Sequence, residues 1–557
     1  MEKTAQNIKA DEFDPLDMHN YTVEKLPVRV KSNFEKWMAI LGGPLAILTF
    51  ILLYWFLHID FLTNIDPSKL SASALARFNE LGIEGFTKAN YAMLAIFAAS
   101  IILWITEAIP NYLTSLILII AMVLTNVVTE VNAYHQLGHK VMWLNIMSFV
   151  LASMLVKTRV AKRFALWFIV KFGKNATSIF FSFLIINIIL SAFISATTAK
   201  AAILLPILMV IAAVYGATGG KNRNNFGRNL ILQNLFQINV SASGFITGSG
   251  ANLLAGAMIA GAIGIPDFLY FDWMVASFPI ALVLLLAGWV VGTKIIFPLS
   301  KEEKQPKIEG GMKKLKKELS KMGPIKTEEI KAVVIFIVVL ALWATDSMHS
   351  ISKTAVAFLG AIVTLLPRVG VVKWNDVDIP WHLFLFSAGA YTLGAGLKAT
   401  DLASLSVNAL FDSMGFSNNT PYWALYLLLT ATMVFSALIF QSKTMRTLIF
   451  IPIAIGVAQK FGFSILSLAL PVALLIEHVY ALPFNSKPAA LLYVTDQYSW
   501  SDTFKYGLTM LIIAWLVMIL AGETYLRYLG YTPDGVFGLT DWFGYIWHKI
   551  AEINFHI

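Results

Sequence analysis

Two short clusters of hydroxyl and basic residues, each followed by a long apolar run, are the places in this chain where chemistry can be done. Thr197, Thr198 and Lys200 stand in SATTAKAAILLPILMVIAAVYG, residues 195–216. Ser442, Lys443, Thr444 and Arg446 stand in QSKTMRTLIFIPIAIGVAQKFG, residues 441–462. With Pro206 placed over Pro452 the two stretches register at an offset of 246. That offset pairs Thr198 with Thr444, Lys200 with Arg446, Ile203 with Ile449, Ala212 with Ala458 and Gly216 with Gly462. Hydroxyls, free backbone N–H groups and a cation at the start of a helix bind anions. Bond-making motifs are missing: there is no HExxH, no nucleophile elbow and no GxxxxGK[ST], and the histidines are scattered. There is no cysteine, so disulfides, thiolate zinc sites and thiol nucleophiles are excluded. No metal and no cofactor is expected.

These clusters must be held inside a membrane. Of 557 residues, 57% are hydrophobic and only 13% charged, with a mean hydropathy of +0.70, against about a quarter charged in soluble domains. The formal charge of +9 fits basic loops on the cytoplasmic side of a membrane protein. No basic run is interleaved with aromatics as single-stranded nucleic acid would require, so no nucleic-acid partner is expected. The start, MEKTAQNIKADEFD, is polar and acidic and does not read as a cleavable signal.

Residues 1–36 read as a soluble lead-in, followed by a span from Trp37 to about Leu62. A polar amphipathic piece at 67–87 lies at or outside the bilayer surface. Spans near 91–109 and 112–128 are broken by Pro110 and carry Glu107, read first as capping a neighbouring helix, with a substrate role as the alternative. A span at 142–165 ends in four cations, Lys157, Arg159, Lys162 and Arg163. The first repeated stretch predicts a hairpin over 175–216. A span over 230–261 is interrupted by TGSGANLL, where Gly248, Ser249, Gly250 and Asn252 mark unwound backbone, tolerated only when buried or lining a cavity. After a span at 273–297, residues 300–331 carry ten Lys and six Glu; the positive-inside rule makes this loop cytoplasmic. It separates two halves, each with one copy of the repeat. The second half predicts spans at 332–347 and 353–367, a further span opening with IPWHLFLFSAG, a hairpin over 421–460, and an interrupted span containing ALPFNSKPAALLY, 481–493. A final span at 506–521 precedes an aromatic tail suited to an interface. Polar-interrupted segments at matching positions of two halves point to a transporter binding site built on inverted repeats.

These residues resemble the divalent anion–sodium symporter group of dicarboxylate and citrate carriers. The resemblance rests on LWITEAIPNYLTSL (103–116), the two hairpin-tip stretches, WATDSMHSI (343–351), IPWHLFLFSAGAYTLG (379–394) and ALPFNSKPAALL (481–492), in order over residues 37–528. It implies an all-α integral membrane carrier with about eleven transmembrane helices and two re-entrant hairpins. It also implies a homodimer working as an elevator, with scaffold parts at 37–170 and 332–412 and moving parts at 171–299 and 413–528. A soluble segment (1–36), the cytoplasmic loop (300–331) and a tail (529–557) complete the division. The family's Ser-Asn-Thr falls on Ala196-Thr197-Thr198, or one residue earlier, and on Ser442-Lys443-Thr444. Its Pro-Pro-Asn falls on Lys487-Pro488-Ala489. Two lysines thus stand where the family has neutral residues, near its sodium sites.

Candidate substrate ligands are therefore Thr197, Thr198, Ser442, Lys443, Thr444, Asn252, Ser486 and Lys487, with Lys200 and Arg446 as charge-compensating candidates. Lys443 and Lys487 have alternative readings, snorkelling or pairing with Glu477. Lys200 and Arg446 either reach the anion or cap the hairpin turn. Glu477 and His478 are read first as a structural pair, with a proton relay as the alternative, and Asp346 is expected at a helix end. An uncompensated charge at the bilayer centre costs between about 3 and more than 10 kcal/mol. A fixed ammonium can offset a dianion as bound sodium does, but it cannot leave, so the empty site should not cross. The expectation is a sodium-independent exchanger of dicarboxylates such as succinate, malate, fumarate or 2-oxoglutarate. It would be multi-pass in the plasma (inner) membrane and lipid-surrounded, with a cytoplasmic N-terminus. The alternative is a sodium-coupled dicarboxylate or citrate symporter.

Overall fold

The computed structural model describes residues 16–21 and 33–538, apart from 218, 221–222, 266–267, 269, 309–310, 378, 380, 414–419, 441 and 533–534. Most of the soluble lead-in (1–36) and most of the aromatic tail (529–557) therefore lie outside the described residues. Among the described residues every regular element is helical. Six helices are long and apolar enough to cross a membrane: Lys36–Phe56, Ala72–Thr106, Glu130–Lys157, Thr197–Val214, Tyr270–Ile296 and Trp500–Tyr528. Shorter apolar helices, Ala176–Ala192 and Gly250–Ile263 among them, complete the set. Apolar helices dominate because in lipid each backbone N–H and C=O must be satisfied within its own segment.

Helices cover the expected spans, with shifted ends. The amphipathic piece at 67–87 is not separate: it begins the helix Ala72–Thr106, which kinks at Gly82, where φ is +69°. Conversely, the span expected at 142–165 is two helices, Lys140–Lys157 and Val160–Phe172, broken at Arg159 with φ +58°. Asp346 opens a short helix, as expected, and its carboxylate also accepts from Tyr270 N at 2.7 Å. Glu107 ends the helix Ala72–Thr106 in the left-handed region.

Small residues draw helices of the two halves together. Helix Trp381–Thr400 packs on Asn111–Leu124 and Ala72–Thr106. A Cβ on Gly389 would sit 2.3 Å from that of Ser115, and the Ser115 hydroxyl donates to Phe386 O at 3.2 Å. Without a hydrophobic drive between helices in lipid, close backbone approach of this kind is what holds them.

The two repeats interlock reciprocally. The second leg of hairpin 1, Thr197–Val214, packs on the short helix Lys487–Tyr493 of the second half. The second leg of hairpin 2, Lys443–Lys460, packs on Gly250–Ile263 of the first half. Each second leg thus meets the helix that follows the break in the other half. The central helix Asn225–Ser243 touches both legs of hairpin 1 and buries Asn229, Gln233, Asn234, Gln237, Asn239 and Ser241. So polar a helix must face the protein interior, away from lipid. The stretch 300–331 contains the helix Gly311–Lys321, which buries Leu315 against the second leg of hairpin 1 and helix Val160–Phe172. Arg163 holds the end of that helix through Met322 O at 3.0 Å and Gly323 O at 2.8 Å.

Candidate functional site

Each repeat contributes a helical hairpin and a broken span. Hairpin 1 is Ala176–Phe193 and Thr197–Val214, hairpin 2 is Tyr422–Phe435 and Lys443–Lys460. The broken spans are Asn225–Ser243 with Gly250–Ile263, and Ile465–Leu474 with Lys487–Tyr493. The TGSGANLL interruption is unwound as expected. Gly248 is required there, because a Cβ would lie 2.2 Å from Ala242 O. Both breaks restart on a serine of nearly identical conformation: Ser249 (φ −157°, ψ 158°) and Ser486 (φ −159°, ψ 160°). Their hydroxyls accept from Asn252 N and Ala489 N, two N-caps 237 positions apart.

The matched cations are buried. Lys200 and Arg446 are both fully inaccessible (0%). The Lys200 ammonium donates to Ser191 Oγ at 2.6 Å and to Ile238 O at 3.2 Å. Arg446 donates from Nε to Ser436 Oγ at 2.9 Å, from Nη1 to Ile476 O at 2.9 Å and His478 O at 3.3 Å, and from Nη2 to Leu475 O at 3.4 Å and to Met433 O. A guanidinium has five N–H groups, and these acceptors take all of them. Ile238 and Leu475 are themselves 237 positions apart. Each cation therefore ties the first leg of its hairpin to the same point of its broken span. No guanidinium N–H of Arg446 is left for an anion, so its charge acts only through space.

Lys443, the first residue of the second leg of hairpin 2, pairs with the buried carboxylate of Glu477. Glu477 also accepts from Ser249 Oγ. Of the alternatives for Lys443, pairing with Glu477 is thus realised. His478 is not joined to Glu477 but engages Tyr480 OH at 2.7 Å through Nδ1. Lys487 does not reach Glu477. Its ammonium is exposed, 3.3 Å from His382 Nε2 on helix Trp381–Thr400 and within electrostatic range of Glu107.

The remaining candidates divide by role. Thr197, Thr198 and Thr444 sit in the first turns of the second legs, half-buried, and their hydroxyls make no hydrogen bond among the described residues. Ser442 caps Met445 N at 3.4 Å. Asn252 stitches the unwound stretch by donating to Ala242 O at 3.0 Å and Phe245 O at 3.1 Å. Ser486 donates to Val479 O at 3.3 Å besides capping Ala489 N. Sequence reasoning placed Ser249 in the break but did not foresee its helix-capping role or its bond to Glu477, and it missed Ser191 and Ser436. Aligning the two breaks on their serines, rather than extending the hairpin offset of 246 across them, would have found the capping role.

Comparison with known proteins gives the family. The sodium:sulfate symporter transmembrane region matches residues 82–532. The chain is similar to a membrane protein of Cupriavidus necator, 24% identical over 80% of this chain and 89% of the relative. It is also similar to a putative malate transporter of Bacillus subtilis, 27% identical over 60% of this chain and 69% of the relative. A sodium-dependent dicarboxylate transporter of Staphylococcus saprophyticus is 24% identical over 78% of this chain and 87% of the relative. The match runs through both hairpins and both broken spans, so the chain is a multi-pass membrane transporter, not an enzyme, and belongs to the sodium:sulfate symporter family.

Proposed function

We propose that this transporter carries C4 and C5 dicarboxylates by sodium-independent exchange. One observation carries the reading. Backbone carbonyls at the ends of broken helices are where transporters of this kind of architecture hold a mobile cation. Here the carbonyls of Leu475, Ile476 and His478 are taken by Arg446, and that of Ile238 by Lys200. The stand-in for sodium is thus assigned to Lys200 and Arg446, rather than to Lys443 and Lys487.

The charge count supports the same reading. Lys200, Lys443 and Arg446 each lie in the field of Glu477, and Lys200 also in that of Lys443. Lys200, Lys443 and Arg446 against Glu477 leave a net charge of +2 in the buried core, the Lys487 ammonium being exposed outside it. A dicarboxylate cancels it and an empty site does not, so only the loaded site is cheap to move through lipid. The names of the relatives point to dicarboxylates as well. The anion is bound by Thr197, Thr198, Lys443 and Thr444 at the helix starts, with Ser442, Asn252, Ser486 and Lys487 around them. Hairpins and broken spans move as an elevator in a homodimer, the hairpins entering the membrane without crossing it. Residues 37–170 and 332–412 stay as scaffold, and the N-terminus and 300–331 face the cytoplasm of a plasma (inner) membrane. Counterflow in proteoliposomes against succinate, malate, fumarate, 2-oxoglutarate, tartrate and citrate tests the reading. Saturable counterflow of C4 or C5 acids supports it; conductance far above carrier turnover contradicts it.

A further inference from the structure

Glu477 is a fully buried carboxylate set into the unwound stretch between Ile465–Leu474 and Lys487–Tyr493. Its two side-chain donors belong to opposite repeats: Lys443 opens the second leg of hairpin 2, and Ser249 caps helix Gly250–Ile263. It therefore lies where two helix N-termini meet, the position that helix dipoles make favourable for negative charge.

Among the described residues, the groups facing Glu477 are basic or neutral. Hairpin 2 presents Lys443 and Arg446, hairpin 1 presents Lys200, and the next residue, His478, is held by Tyr480. Helix Asn225–Ser243 brings only amides and hydroxyls to this core. Other buried carboxylates among the described residues are engaged elsewhere: Glu329 with Arg163, Asp346 with Tyr270 N, and Glu523 with Val536 N and Phe537 N.

We propose that Glu477 sets the charge of the passenger: its carboxylate cancels one of three buried cations, matching the site to two negative charges rather than three. The inference rests on the dicarboxylate reading above, and deepens it by naming the residue that fixes the charge class. With Glu477 neutralised, the buried net charge becomes +3 and a tricarboxylate is the matched ligand. With Lys443 neutralised instead, it becomes +1 and a monoanion gains.

The experiment is transport by purified full-length protein in proteoliposomes at a pH where the acids are fully ionised. The kcat/KM values for succinate, its monomethyl ester and citrate are compared. In Glu477→Gln the succinate-to-citrate ratio falls about tenfold, the scale of one charge interaction at a partly solvated site. In Lys443→Met the ratio of succinate to monomethyl ester falls by a similar factor, which tests the charge rule even if Glu477→Gln does not fold. The double variant Glu477→Gln/Lys443→Met restores a net +2 and with it the wild-type order of preference. Unchanged ratios in active single variants, or a double variant that keeps the tricarboxylate preference, overturn the proposal. Failure of the wild type to carry any dicarboxylate overturns the reading of function itself, and is distinguishable because it is seen before any substitution.

Discussion

Lys200 and Arg446 lie 246 positions apart and bond the same point of their respective broken spans, Ile238 O at 3.2 Å and Leu475 O at 3.4 Å. Each also bonds a serine at the end of the first leg of its own hairpin, Ser191 or Ser436. Two cations of different chemistry thus perform one task twice, clamping hairpin to broken helix.

Arg446 is expected to be indispensable to the fold. Arg446→Ala leaves the carbonyls of Leu475, Ile476 and His478 without their donor in a buried site, and each such group costs about 1–3 kcal/mol. A large fall in the melting temperature of the detergent-purified protein is the expected outcome. Arg446→Lys recovers part of it, since an ammonium offers three donors rather than five.

Lys200 should behave differently. Its partners are a hydroxyl and a single carbonyl, and an ammonium buried with no ion pair among the described residues carries a desolvation cost of several kcal/mol that an apolar side chain does not. Lys200→Met is predicted to melt at or above the wild-type temperature while anion affinity falls about tenfold or more. Calorimetric titration with succinate alongside thermal melts separates the two effects.

The pair Arg163–Glu329 links helix Val160–Phe172 to the start of helix Thr327–Ala344, 2.6 Å apart and mostly buried. Arg163→Ala strands a carboxylate that is 5% exposed and releases Met322 O and Gly323 O. Loss of one partner of such a pair costs about 3–5 kcal/mol, to be read from thermal or denaturant unfolding.

Gly389 faces Ser115 too closely for any side chain. Gly389→Val pushes helices 111–124 and 381–400 apart and is predicted to abolish accumulation of folded protein, as judged by size-exclusion chromatography. Ser115→Ala loses only the bond to Phe386 O, about 1 kcal/mol, and should fold.

Much of this was legible in the sequence because it was written twice. The repeat at 246 exposed both hairpin tips and the matched cations Lys200 and Arg446. GSGANLL marked the first break, since glycine and polar residues in a span have few other uses. The pairing of Lys443 with Glu477 was readable only as an alternative, because the two lie 34 positions apart and the chain between them folds back into an unwound stretch of no fixed period. The saturation of Arg446 by carbonyls was not legible at all: carbonyls are carried by every residue, so no side-chain pattern announces them. For the same reason Lys487, beside a break like the one at Gly250, looked equivalent to Lys443 although it faces His382 instead.

On the proposed function, fixed cations stand where a mobile one would bind. A sodium titration of labelled dicarboxylate uptake into proteoliposomes, with and without internal dicarboxylate, tests this. The account predicts uptake that is flat from sodium-free to saturating sodium and present only in anion-loaded vesicles. Uptake that rises with sodium and proceeds into empty vesicles would contradict it.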